Sequence, residues 1–144
     1  MLRLIRLAID QQEPRAIIGI RSLGGKQAVE RSALRKLVFL AFRSIVRTLV
    51  NVKFEDTQCG AKVIPGAAYR AVADDLMERG FIFDVELLVA LQAAGIKILE
   101  EPIDWKEVAG SRLQLSRDSM EMIRSLWRIR KRLRAGDYAE SRPS

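Results

Sequence analysis

The sequence predicts an α/β fold that is rich in helix, and three observations support this prediction. A short continuous apolar run, AIIGI at residues 16–20, is typical of a strand buried on both faces. Longer segments with apolar residues at spacings of three and four predict amphipathic helices before and after it. Glycines near positions 24 and 95 supply turns between these segments. A buried strand that alternates with helices is the usual pattern of an α/β domain.

The first half of the chain predicts a helix, a strand and a second helix. A helical pattern starts at Leu2 and is followed by Pro14. After the apolar strand, residues 32–51 form the most regular pattern in the sequence, with apolar residues on one wide face. All of the charged residues in this segment are basic. It therefore predicts a long amphipathic helix with a positively charged face.

The second half alternates in the same way. A short strand, KVI, is expected at residues 62–64, and Pro65 opens a helix that runs to about Arg79. The segment FDVELL begins a helix that ends at Gly95, and the strand IKIL at residues 96–99 follows it. Pro102 marks the end or an edge position of that strand. A basic helix at residues 119–134, capped by Ser116 or Asp118, ends the ordered domain at residues 1–134, and residues 135–144 are expected to be a disordered tail.

The composition excludes several kinds of chemistry. The chain of 144 residues contains no histidine, which excludes Ser-His-Asp and Cys-His catalysis as well as imidazole-based zinc sites. A single cysteine excludes an intrachain disulfide. The formal net charge of +7 favours an anionic partner, such as a phosphorylated substrate, a nucleic acid or a membrane surface. We see neither a secretory signal nor a spanning segment, and we expect a cytoplasmic protein peripheral to the membrane.

Three arginines near turns are candidates for phosphate binding. Arg21 follows the buried strand, Arg35 lies near the start of the long helix, and Arg112 lies in the loop after the last strand. A guanidinium group matches phosphate with two parallel donors, and ligands bind at the strand ends of α/β sheets. Asp84, at the start of a helix, is either a capping residue or a functional carboxylate, and its spacing does not decide between the two.

Five short motifs in one order resemble the C-terminal half of family 2 glycosyltransferases. They are DTQCGAK at residues 56–62, FDVELL at 83–88, AGIKI at 94–98, EPIDW at 101–105 and GSR at 110–112. Their order and spacing are most similar to those of the dolichyl-phosphate and polyprenyl-phosphate mannose or glucose synthases. The resemblance covers residues 17–130.

The resemblance implies a partial GT-A fold, of the nucleotide-diphospho-sugar transferase type, with a short, incomplete mixed sheet. It also implies transfer of a hexose from a nucleotide sugar to a polyprenyl phosphate, with inversion at the anomeric carbon. Arg21, Arg35 and Arg112 would then hold phosphates, and Asp84 would be the catalytic residue. The residues that would support the motifs are Asp56, Gln58, Gly60, Glu86 and Trp105. An acceptor that is already an anion needs positioning more than a strong base, which fits the absence of histidine.

The sequence lacks the Asp-x-Asp metal motif that the resemblance leads us to expect. The adjacent pair Asp74 and Asp75 does not replace it. We therefore expect that this chain binds no metal or other cofactor alone, that the complete family enzyme uses Mg or Mn, and that the isolated chain is inactive. The chain would be a truncated or split enzyme, completed by an N-terminal half-protein or covered by self-association.

A second interpretation remains open from the residues alone. The two basic amphipathic helices permit a non-catalytic module that binds an anionic membrane or a nucleic acid. A nucleic acid is the less expected partner, because neither helix carries a recognised nucleic-acid-binding motif.

Overall fold

The computed structural model describes residues 2–9, 15–21, 33–103 and 117–138. The helices are α1 (Leu2–Ile9), α2 (Ala33–Val50), α3 (Gly66–Arg70), α4 (Phe83–Ala93) and α5 (Arg117–Ala135), and the strands are β1 (Ala16–Arg21), β2 (Lys62–Val63) and β3 (Ile98–Ile103). Two 3-10 helices cover Ala73–Asp75 and Gly80–Ile82. The helix-rich α/β prediction is confirmed.

The described residues form one small mixed sheet in the order β2-β1-β3. β1 and β3 are parallel, with Ala16 opposite Ile98 and Arg21 opposite Ile103. β2 runs antiparallel to β1, with Ile18 opposite Lys62. β1 is the central strand of these three, since it pairs with both others. Its apolar side chains are buried on both faces, as its sequence predicts.

The last strand lies further along the chain than predicted. It covers Ile98–Ile103 rather than residues 96–99, and Pro102 lies within it. Proline is tolerated there because β3 lies at the edge of the sheet formed by the described residues, where a missing N–H removes no ladder hydrogen bond. Gly95, with a φ of 73°, ends α4 as predicted, since this left-handed conformation strains residues with a Cβ atom.

The predicted helix from Pro65 to Arg79 is wrong. α3 stops at Arg70, one 3-10 turn follows, and residues 76–79 are not helical. The physical reason is a competing partner for the backbone: the N–H groups of Met77 and Glu78 donate to the carboxylate of Glu86, at 2.9 and 2.7 Å. This local arrangement replaces the hydrogen bonds that a continuous helix would form.

The main core lies between α2, α4 and α5. Its buried side chains include Val46 and Val50 of α2, Leu91 of α4, and Leu126 and Ile129 of α5. A smaller cluster of Leu4, Ile17, Cys59 and Ala61 packs where α1 meets the sheet.

The C-terminal helix is followed by an ordered turn. α5 ends at Ala135, and Tyr138 is only 2% exposed and belongs to the main core. The first residues of the segment predicted as a disordered tail are therefore part of the packed structure, while residues 139–144 lie outside the described ranges. In the part of the chain that is described, no helix has both the length and the apolar content needed to cross a bilayer.

Candidate functional site

The candidate site lies where β1 and β3 end. Because the two strands are parallel and in register, Arg21 and Ile103 terminate them at the same edge. β2 runs in the opposite direction, so the turn before it, at residues 56–61, lies at that edge as well. The carboxyl ends of parallel strands are the usual position for ligands in α/β folds.

Arg21 and Asp56 form a two-point ion pair at this edge. Arg21 Nε lies 2.6 Å from Asp56 Oδ2, and Nη2 lies 2.9 Å from Oδ1. The Asp56 side chain is 3% exposed and that of Arg21 is 21% exposed. The structure thus brings together two residues predicted for the site, and the buried carboxylate fixes the plane of the guanidinium group.

Gly19 allows the turn to approach the sheet. Its N–H donates to the Ala61 carbonyl at 2.8 Å. A Cβ atom at this position would lie 2.8 Å from Ile103 Cδ1 and 3.2 Å from both Cys59 Sγ and the Ala61 oxygen. Sequence analysis missed this residue, although a glycine inside a strand pattern is a known signal of close backbone approach.

Asp84 is linked to the same edge through Lys62. Lys62 Nζ lies 3.3 Å from Asp84 Oδ1 and also donates to the carbonyl oxygen of Cys59 in the turn. The Lys62 side chain is 8% exposed, while that of Asp84 is 32% exposed in the first turn of α4. This geometry leaves one carboxylate partly open to solvent beside a nearly buried ammonium group. Lys62 is the last residue of the DTQCGAK motif, and its role could have been suspected from that position.

Glu86 lies away from the edge, inside the protein. Its fully buried carboxylate accepts hydrogen bonds from Arg132 Nη1 at 2.6 Å and from the Tyr138 hydroxyl at 2.9 Å, besides the two backbone N–H groups of residues 77 and 78. Arg132 Nη2 also donates to the Asp75 carbonyl oxygen at 2.7 Å. Glu86 therefore joins α4 to α5, and we name Glu86, Arg132 and Tyr138 the α4–α5 cluster.

Two ionisable groups in and beside the α4–α5 cluster have shifted pKa values. Burial raises the pKa of the Tyr138 hydroxyl well above its ordinary value, and the adjacent Glu86 carboxylate adds to this rise. Beside the cluster, the hydrogen bond that Arg128 donates to Glu78 lowers the pKa of the Glu78 carboxyl. Arg132 and Tyr138 were missed from the sequence, because a partner about fifty residues away leaves no local pattern.

The remaining predicted residues are only partly described. Gln58 lies in the turn, and its Nε2 is buried with no hydrogen-bond partner among the described residues, while Gly60 is exposed. Arg35 lies near the start of α2, but its side chain is outside the described set. Trp105 and Arg112 also lie outside the described residues. The convergence of Arg21, Arg35 and Arg112 on phosphates therefore stays a prediction.

The described residues do not fit a divalent metal ion. They contain no group of three acidic or cysteine side chains that could hold one. The carboxylates of Asp56 and Glu86 are buried and already bonded to arginine side chains, and Asp84 has one oxygen 3.3 Å from Lys62 Nζ, so these three do not form one ligand set. No chemical step through a metal is assigned to these residues.

Comparison with curated proteins adds sequence relatives to this geometry. The chain is 33% identical over 132 residues to a dolichyl-phosphate beta-glucosyltransferase of Saccharomyces cerevisiae, a match that covers 90% of this chain and 40% of the relative. A protein of the same name from Dictyostelium discoideum is 32% identical over 130 residues, covering 89% and 40%. Glycosyltransferase AglD of Haloferax volcanii is 30% identical over 107 residues, covering 72% and 17%.

These matches cover most of this chain but less than half of each relative. It spans about two fifths of the first two relatives. No protein-family model matches the chain. No solved structure matches it either. Dolichyl-phosphate beta-glucosyltransferases and AglD are homologues of this chain, which resembles the C-terminal part of a family 2 glycosyltransferase.

Proposed function

We propose that this chain forms the acceptor-side part of a polyprenyl-phosphate hexosyltransferase. The single observation that carries the proposal is the two-point ion pair between Arg21 and Asp56 at the carboxyl edge of β1 and β3. Both members lie within residues 17–130, which the resemblance covers, and they meet where α/β folds bind ligands. The curated relatives named for dolichyl phosphate support the substrate class.

In the proposed reaction, an oxygen of the acceptor phosphate attacks the anomeric carbon of the sugar. The new carbon–oxygen bond forms as the bond to the nucleotide diphosphate breaks, and the leaving diphosphate takes the electron pair. Arg21, Arg35 and Arg112 would hold the phosphates, since guanidinium groups bind phosphate oxygens with two donors. Asp84, held by Lys62, would be the carboxylate nearest the reacting groups.

Besides the acceptor, the proposed reaction needs a sugar donor and a metal ion. A nucleotide sugar would be the donor, and Mg or Mn would be held by carboxylates outside the described residues. We also propose a cytoplasmic position peripheral to the membrane, with either an N-terminal half-protein or a second copy covering the open sheet.

Selective lipid binding tests this proposal. Vesicles that contain polyprenyl phosphate are compared with vesicles that contain phosphatidic acid adjusted to the same surface charge. We expect the chain to bind the polyprenyl phosphate vesicles about tenfold more tightly, and Arg112→Gln to remove most of that preference, since a hydrogen bond to a charged group contributes about 1.5–3 kcal/mol. Arg70→Gln, at an exposed arginine on α3, is the matched control and should leave the preference unchanged. Equal affinity for the two kinds of vesicle would contradict the proposal.

A further inference from the structure

The Gln58 side chain holds a buried hydrogen-bond donor that the protein itself does not use. Its Nε2 atom is buried and has no hydrogen-bond partner in the described part of the chain, although the residue as a whole is partly exposed. A buried amide without a partner costs free energy, because the same group is hydrogen-bonded to water in the unfolded chain. Such a group calls for an explanation, and a ligand that supplies the missing acceptor is one.

The turn that carries Gln58 is fixed on both sides. Asp56, Thr57 and Cys59 are all buried, and the Cys59 N–H donates to the Asp56 carbonyl oxygen at 3.4 Å. The ion pair with Arg21 then holds this turn at the carboxyl edge of β1 and β3, where α/β folds bind ligands. The terminal torsion of a glutamine is soft, so the amide group can turn towards a ligand oxygen without movement of the backbone.

The charged residues on either side of Gln58 in the DTQCGAK motif are already paired. Asp56 binds Arg21 at two points, and Lys62 Nζ lies 3.3 Å from Asp84 Oδ1. A neutral amide between two balanced pairs adds little attraction for an anion, since phosphate is bound best by charged donors. A neutral oxygen, such as that of a hydroxyl group, therefore matches this donor better than a phosphate oxygen does.

The proposed reaction brings three groups to the acceptor side, and one of them has neutral acceptors of this kind. The phosphates are assigned to arginines and the polyprenyl chain has no acceptor, whereas a hexose presents several hydroxyl groups. We infer that Gln58 is a specificity-determining residue, whose Nε2 donates a hydrogen bond to one hydroxyl oxygen of the hexose. The inference rests on the proposed function, which supplies the hexose, and it adds a contact that selects among sugars.

This contact has a direct consequence for the choice of substrate. A site that hydrogen-bonds a hydroxyl group rejects an analogue without that hydroxyl, because the buried polar group of the protein is then left unpaired. The same holds for a hexose whose hydroxyl at that carbon points the other way. Gln58 thus distinguishes sugars that the phosphate-binding arginines bind alike.

Binding of a lipid that carries a sugar tests the inference with the full chain. The vesicles contain polyprenyl-phosphoglucose or, at the same surface charge, polyprenyl phosphate. Gln58→Met keeps the length of the side chain but removes its donor. This variant should bind the glucose-bearing vesicles about tenfold more weakly and the polyprenyl phosphate vesicles as well as before. Gln92→Met, at an exposed glutamine of α4, is the matched control and should change neither affinity.

Analogues of polyprenyl-phosphoglucose that each lack one hydroxyl group identify the acceptor. One of them should bind the unchanged chain about tenfold more weakly. Gln58→Met should show no further loss with that analogue, because the donor and its acceptor form a single contact. Equal binding of polyprenyl-phosphoglucose by the unchanged chain and Gln58→Met, or losses in the variant that are the same for every analogue as in the unchanged chain, would overturn the inference.

Stability separates this role from a structural one. Gln58→Met should leave the midpoint of urea denaturation unchanged or raise it, since the amide nitrogen has no partner to lose in the described structure. A lowered midpoint would show that the side chain supports the fold, and would overturn the inference. Equal affinity of the unchanged chain for polyprenyl phosphate and phosphatidic acid would contradict the proposed function and this inference together. A retained preference for polyprenyl phosphate, with no effect of Gln58→Met on the glucose-bearing lipid, would contradict this inference alone.

Discussion

Gly19 is the residue on which the position of the DTQCG turn depends. Gly19→Ala should destabilise the protein by about 1–3 kcal/mol, because the added Cβ meets Ile103 Cδ1 at 2.8 Å. Urea denaturation measures the change. Ile103→Val removes that Cδ1 atom and should restore part of the loss in the double variant. Gly60→Ala is the matched control in the same turn, where an added Cβ has no neighbour within 4 Å, and a loss as large as that of Gly19→Ala would contradict the account.

The ion pair between Arg21 and Asp56 predicts a second effect at single residues. Arg21→Met should cost about 3 kcal/mol of stability, the low end for a broken buried pair since Arg21 is 21% exposed, because it leaves the buried Asp56 carboxylate without its cation. The double variant Arg21→Met/Asp56→Asn should lose less than the sum of the single variants, which a double-mutant cycle in urea would show. Arg43→Met, which removes a contact at 3.9 Å with the exposed Glu55, should change stability by less than about 0.5 kcal/mol. Strict additivity would mean that the pair is not coupled.

The helices α4 and α5 depend on a charge contact that joins distant parts of the chain. Arg132→Met should destabilise the protein by about 3–5 kcal/mol, because Glu86 would remain buried without its cation. Hydrogen exchange in α5 should increase in parallel. Adding Glu86→Gln should recover part of the stability, and Arg134→Met, at an exposed position of the same helix, should have little effect. An unchanged exchange rate in α5 would contradict the role of the cluster.

Tyr138 gives the same pair of elements a dependence on alkaline pH. Its raised pKa means that the folded state favours the neutral hydroxyl, so its contribution is complete below the ordinary pKa of 10.0 and is lost as the pH rises above it. Tyr138→Phe should lower stability at pH 8 by about 1 kcal/mol and should show a smaller further loss between pH 9 and 11. Urea denaturation across this range tests it, with Tyr69→Phe at an exposed tyrosine as control. Identical pH profiles for the unchanged chain and Tyr138→Phe would show that this hydroxyl does not titrate as described.

Elements with a strong internal pattern could be predicted from the sequence, and elements shaped by distant partners could not. The period of α2 and the apolar run of β1 were sufficient because each is a local pattern, one apolar face for the helix and burial on both faces for the strand. The segment after Arg70 has the composition of a helix, but the Glu86 carboxylate binds its backbone instead. The ordered turn to Tyr138 depends on the same carboxylate, which a reading of local composition does not detect.

At the scale of the whole molecule, the structure brings two of the residues predicted for the site into contact, while the roles predicted for them stay predictions. Arg21 and Asp56 form an ion pair, and Asp84 contacts Lys62, which also donates to the Cys59 carbonyl oxygen in the turn that contains Asp56. Glu86, predicted as support for the FDVELL motif, is fully buried and bonds Arg132 of α5. The sequence does not distinguish the buried carboxylates of Asp56 and Glu86 from the partly exposed one of Asp84. The cationic partner that sets each environment lies between 22 and 46 positions away in the chain.

The most direct test of the central claim replaces the matching C-terminal part of the Saccharomyces cerevisiae dolichyl-phosphate beta-glucosyltransferase with this chain. A thermal melt first establishes that the chimera folds, and transfer of glucose from its nucleotide sugar to dolichyl phosphate is then measured. We predict transfer that Asp84→Asn and Arg112→Gln each reduce by at least about tenfold, as expected when a group that acts in the transition state is lost, while Arg70→Gln leaves it unchanged. A folded chimera that binds the nucleotide sugar and the lipid but transfers no glucose would contradict the claim that this chain supplies the acceptor side of the enzyme.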